Sequence, residues 1–67
     1  MAKTYTKAEL PKLDRQLENM TDDQLKALEL AGGKLLRDSN QAEYMRRYRQ
    51  RIALAALNKG MIQADEL

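Results

Sequence analysis

Residues 52–57 read Ile-Ala-Leu-Ala-Ala-Leu, an unbroken apolar run. On a helix such a run is apolar on every side, and a helix of that kind is normally buried on every side. The chain has only 67 residues, so one other helix pair is expected to fall short of covering it. A second copy of the molecule would complete the cover, and Ile52, Leu54, Ala55 and Leu57 are the side chains expected at that contact.

Helix is the state that the composition favours. Phe, Trp and Val are absent and Ile occurs only at positions 52 and 62, whereas strands draw on β-branched and aromatic residues. Leu, Ala, Lys, Arg, Gln and Glu fill the chain, and these are strong helix formers. Three helices follow, at about 7–19, 22–37 and 41–58, so the fold class is an all-α three-helix unit forming a single small domain. The ends, 1–5 and 61–67, are expected to be loosely held.

The first helix has two candidate starts. Thr6 with Glu9 has the spacing of a capping box, and Pro11 marks a competing start because Pro suits a first helical turn. Leu10, Leu13, Leu17 and Met20 then form one apolar stripe. The second helix begins after Thr21, which with Gln24 makes another capping box. Asp22 and Asp23 sit in its first turn, where the helix dipole favours negative charge.

Gly32-Gly33 looks like the end of that second helix, since Gly commonly follows a helix C-terminus. Periodicity points the other way. Leu25, Leu28, Gly32, Leu35 and Leu36 share an arc of about 100°, a register that a helix stopped at Gly32 has no reason to keep. One helix running to about Arg37 is therefore predicted, with Ala31 and Gly32 as a notch for another backbone, and Gly32 joins the candidate dimer contact. The turn Asp38-Ser39-Asn40 follows, with Asn40 and Glu43 at cap-like spacing. On the third helix Tyr44, Met45, Tyr48, Ile52, Ala55 and Ala56 share an arc of about 120°, and Gly60 stops the helix.

So small a chain usually needs a staple, because below about 70–80 residues a single core rarely supplies more than about 3–5 kcal/mol. There is no Cys and no His, which excludes disulfides and leaves zinc or copper sites without their usual ligands. No cofactor or metal is expected. Self-association remains, most simply a symmetric homodimer.

The same two absences remove the usual general base and soft nucleophile. The only serine, Ser39, stands where a turn wants one. Gly32-Gly33-Lys34 lacks the frame of a phosphate-binding loop. The chain is expected not to be an enzyme. It has no apolar run behind its N-terminus and no stretch near the roughly 18 apolar residues of a membrane span, so no membrane partner is expected and the expected setting is the cytoplasm.

Net charge is +2, but it is polarised. From Arg46 to Lys59 there are five Lys or Arg and no acid, while Asp14 to Glu29 holds five acids against two bases. Such asymmetry marks an interaction surface. Arg46, Arg47, Arg49, Gln50 and Arg51 are the candidate partner-binding residues. Arg46, Arg47, Gln50 and Arg51 spread over a polar face of about 140°, with Arg49 at the margin of the apolar stripe. Arginine suits an anionic partner because its planar fork meets carboxylate or phosphate with two hydrogen bonds.

Three readings of that ridge stand side by side. It docks an acidic protein surface, as a small adaptor or inhibitor would. Alternatively it binds nucleic acid, with Tyr44 and Tyr48 available to stack on bases. In the third, the arginines are solvated or pair within the fold with the acidic first two helices, and the protein is a purely structural oligomer. A helix-turn-helix does not fit the spacing around Gly32 or Gly33, and a net charge of +2 is low for phosphate-driven binding. In size and charge density the chain resembles small accessory proteins of phages and mobile elements, a likeness of composition alone.

Overall fold

The computed structural model describes residues 4–37 and 45–66. Three helices form α1 (Leu10–Glu18), α2 (Asp22–Leu36) and α3 (Arg46–Asn58), with short 3-10 turns at Lys7–Glu9 and Ala64–Glu66. No strand occurs among the described residues. The predicted all-α, three-helix class is what the chain adopts. No described helix is long and apolar enough to cross a membrane.

Pro11 lies in the first turn of α1, where its missing N–H costs nothing. The capping box expected of Thr6 does not form. Thr6 Oγ1 instead meets Glu9 Oε1 at 3.4 Å, and the Glu9 carboxylate is taken by Lys59 Nζ at 3.1 Å. At Thr21 the box is complete: Gln24 N–H donates to Thr21 Oγ1 at 3.3 Å and Thr21 N–H to Gln24 Oε1 at 3.0 Å. The difference is competition, since among the described residues no other group bonds the Gln24 side chain.

The second helix runs through Gly32 and Gly33 and ends at Leu36, capped by Arg37 in the left-handed region at φ 53°. Both glycines are buried, and Gly32 lies against the backbone of Arg49 in α3. The notch therefore has an occupant within the same chain, and α2 packs on α3 more extensively than any other pair of elements.

Beyond the end of α3 at Asn58, Gly60 takes φ 74° in a Schellman arrangement: Met61 N–H bonds Ala56 O at 2.8 Å and Gly60 N–H bonds Leu57 O at 3.1 Å. The described helix starts at Arg46. The expected start near residue 41, the turn at 38–40 and Tyr44 lie outside the described residues.

The cover of α3 corrects the opening expectation. Ile52, Ala53, Leu54, Ala55 and Ala56 are all at most 1% exposed within one chain. Tyr5, Leu13, Leu17 and Leu28 share this core, and Leu10, Met20, Leu25, Leu35 and Leu36 pack against it. Ile52, Leu54, Ala55 and Gly32 are thus spent inside the molecule and are not available to a second copy. Leu57, half-buried, is the one residue of that set still reachable. The expectation failed because it counted two neighbours for α3 when there are three.

The third neighbour is the N-terminal segment, which was expected to be loose. Thr4 and Tyr5 are buried at 5% and 7% exposure. Thr4 Oγ1 donates to Ile52 O at 2.7 Å, and Lys59 Nζ donates to Thr4 O. The Tyr5 ring meets Tyr48 edge-on, with centroids 6.4 Å apart, a favoured aromatic geometry. Burial, and then the Tyr48 hydroxyl, push the Tyr5 phenol above its ordinary pKa. At the other end, Ile62 is half-buried and lines a small hollow with Ala31, Lys34 and Leu35.

Candidate docking surface on the third helix

The arginine ridge read from the sequence is divided by the fold. Arg46 and Arg47 are exposed at the start of α3; Arg49 and Gln50 are buried; Arg51 is half-buried. The close contact at Gly32 brings the α3 backbone at Arg49 onto α2, and Arg49 and Gln50 are buried there, whereas Arg51 turns to Asp14 of α1.

Each inward residue has an identified role. The Arg49 side chain is 0% exposed and its Nη1 lies 4.0 Å from Glu29 Oε1. Gln50 Nε2 donates to the Leu25 carbonyl at 3.4 Å. Arg51 grips Asp14 with two hydrogen bonds, Nε to Oδ1 at 2.8 Å and Nη2 to Oδ2 at 3.0 Å. That bidentate pair holds the Asp14 carboxyl below its ordinary pKa, chiefly through the Arg51 hydrogen bond, with Arg47 adding to the attraction. Basic α3 and the acidic first two helices thus neutralise each other at two places, as the in-fold pairing reading expected.

Arg46 and Arg47 remain at the surface. Arg46 is 54% exposed and its Nε stands 3.5 Å from Glu29 Oε1, so Glu29 faces two arginines one turn apart. Arg46, Arg47 and Gln50 line one wall of a groove of about 580 Å³, and Asp22, Leu25, Lys26 and Glu29 of α2 line the other. The groove carries three cations and two carboxylates, one of which, Glu29, is engaged by Arg46 and Arg49. Lys26 and Arg47 are left facing solvent with Leu25 half-buried between the walls. Such a surface can take up a carboxylate through charge-assisted hydrogen bonds while an apolar contact fixes the register.

Among the described residues, no cluster of acidic side chains is arranged to hold a metal ion. Tyr48, offered in the sequence as a base-stacking residue, is half-buried with its ring against Tyr5.

Sequence reasoning missed the part that Tyr5 plays and a second basic groove on α1. An isolated aromatic in a chain with only three tyrosines and no Phe or Trp was a signal that the N-terminus had something to bury. No protein family, curated protein or solved structure matches this chain.

Proposed function

We propose that the protein is a non-enzymatic interaction module that receives an acidic segment of a protein partner in the groove between α2 and the start of α3. Arg47 and Lys26 bind the partner's carboxylates, Arg46 borders the site, and Leu25 supplies the apolar contact. The observation that carries this reading is the division of the arginines: Arg47 stays exposed beside a groove, while Arg46 and Arg49 face Glu29 and Arg51 faces Asp14.

The same division weighs against nucleic acid. Affinity for a phosphate backbone grows with the number of phosphates neutralised, each contributing to the salt dependence. Three of the four arginines in the ridge, Arg46, Arg49 and Arg51, already face carboxylates within the fold, and carboxylates of Asp22 and Glu29 border the groove. A protein surface tolerates that mixture of charges, whereas a phosphate backbone is repelled by it.

The test compares parent protein with Arg47→Glu in capture from cell lysate, alongside gel-shift titrations with duplex and single-stranded DNA and RNA at two salt concentrations. A protein partner retained by the parent and lost with Arg47→Glu supports the proposal. Tight, steeply salt-dependent nucleic-acid binding that disappears in Arg46→Ala/Arg47→Ala overturns it.

A further inference from the structure

A second groove, of about 660 Å³, lies between α1 and the end of α3, lined by Glu9, Lys12, Leu13, Arg15, Gln16 and Asn58. Its size is that of a site for a small ligand or a few peptide residues. Two of its features bear on what it would hold.

The first is charge. Glu9 is its only carboxylate, and Lys59 Nζ holds that group at 3.1 Å. Neither Lys12 nor Arg15 has a carboxylate within ion-pairing distance among the described residues, and both are exposed. The groove therefore presents two uncompensated cations, unlike the α2–α3 groove, where acids and bases nearly balance.

The second is a pair of amides. Asn58 Nδ2 donates to Gln16 Oε1 at 2.9 Å, tying the end of α3 to α1. This contact fixes which atoms of each amide remain. The Gln16 Nε2 group keeps its N–H donors, and Asn58 Oδ1 keeps its acceptor capacity. A donor and an acceptor side by side match the N–H and C=O of an extended peptide backbone.

We propose that this groove is a distinct anion site that takes a short carboxylate-bearing peptide segment. Lys12 and Arg15 bind its acidic side chains, and the Gln16–Asn58 pair reads its backbone. A peptide is favoured over single-stranded nucleic acid because no aromatic ring lines the groove, and sequence-tolerant nucleic-acid binding relies on base stacking. The site is separate from the α2–α3 groove and does not depend on the function proposed for it.

The side-chain NH2 resonances of Gln16 and Asn58 in nitrogen-15 NMR spectra report on it directly. The probe is a blocked tetraglutamate peptide, titrated at low salt to about 10 mM, enough to saturate even a millimolar site. Saturable shifts of both amides are expected in the parent. In Lys12→Ala/Arg15→Ala, whose backbone spectrum verifies folding, binding should weaken at least about tenfold, as loss of two charge-assisted contacts implies. In Arg47→Glu the shifts should persist. Unmoved amides in the parent, undiminished binding in the double variant, or loss of the shifts in Arg47→Glu would each refute the site. Tighter binding of an oligothymidylate at the same resonances would refute the choice of peptide.

Discussion

Gly32 touches the backbone of Arg49 so closely that a Cβ at position 32 would fall 2.0 Å from the Arg49 carbonyl oxygen and 2.8 Å from its Cα. Backbone cannot move aside as the tip of a side chain can. In an open helix, Gly→Ala would gain about 1 kcal/mol. Here Gly32→Ala should lose at least about 1–3 kcal/mol through overpacking, read as a lower urea midpoint at unchanged slope. An Ala variant as stable as the parent would place the two helices farther apart than described.

Arg37 closes α2 with φ 53° and ψ 38°, a left-handed conformation that costs a residue with a Cβ about 1–2 kcal/mol. Glycine adopts it without that cost, although it loses more entropy on folding. Arg37→Gly should therefore stabilise the protein by about 0.5–1 kcal/mol, visible as a raised melting temperature. Destabilisation would mean that the Arg37 side chain contributes more than its backbone costs.

Asp14 ionises more readily in the folded chain than in the unfolded one because of Arg51. A lowered acid pKa stabilises the folded state above the unfolded value, about 3.9, and that contribution fades as pH drops through the folded value. With both partners partly exposed, the pair is worth about 0.5–1 kcal/mol at neutral pH. Asp14→Asn should show a deficit of that size at pH 7 that shrinks below about pH 3.9. A deficit constant from pH 7 to pH 2.5 would assign the effect to packing.

The helices were legible in the sequence because each signal is local. The leucine spacing, Pro11, the Thr21–Gln24 box and Gly60 all act within a few residues of themselves. Even the passage of α2 through Gly32 followed from the register of Leu35 and Leu36. What escaped were relationships between distant segments. Tyr5 lies far along the chain from Tyr48, and nothing near it says that it packs there. Arg49 resembles its neighbours Arg47 and Arg51 in sequence, yet Arg49 is buried where α3 meets Gly32 of α2 and Arg51 is drawn to Asp14 of α1, while Arg47 stays exposed. The expected dimer contact through Ile52 and Leu54 was mistaken for the same reason: the helix had a third neighbour in its own chain.

Thermal melting over a dilution series bears on self-association. With Ile52, Leu54 and Ala55 buried in one chain, folding itself should not depend on protein concentration. Melting temperatures measured across a hundredfold dilution should coincide, whereas an obligate dimer would melt lower as it is diluted.

The division of labour along the basic stretch is tested most directly by urea unfolding of five alanine variants, at Arg46, Arg47, Arg49, Gln50 and Arg51. Arg46→Ala and Arg47→Ala should stay within about 0.5 kcal/mol of the parent, as exposed positions do. Arg49→Ala should lose about 2 kcal/mol or more, because it empties a site whose side chain is 0% exposed, while Glu29 keeps Arg46. Equal stability of Arg47→Ala and Arg49→Ala would contradict the claim that the fold has drawn part of the ridge inside.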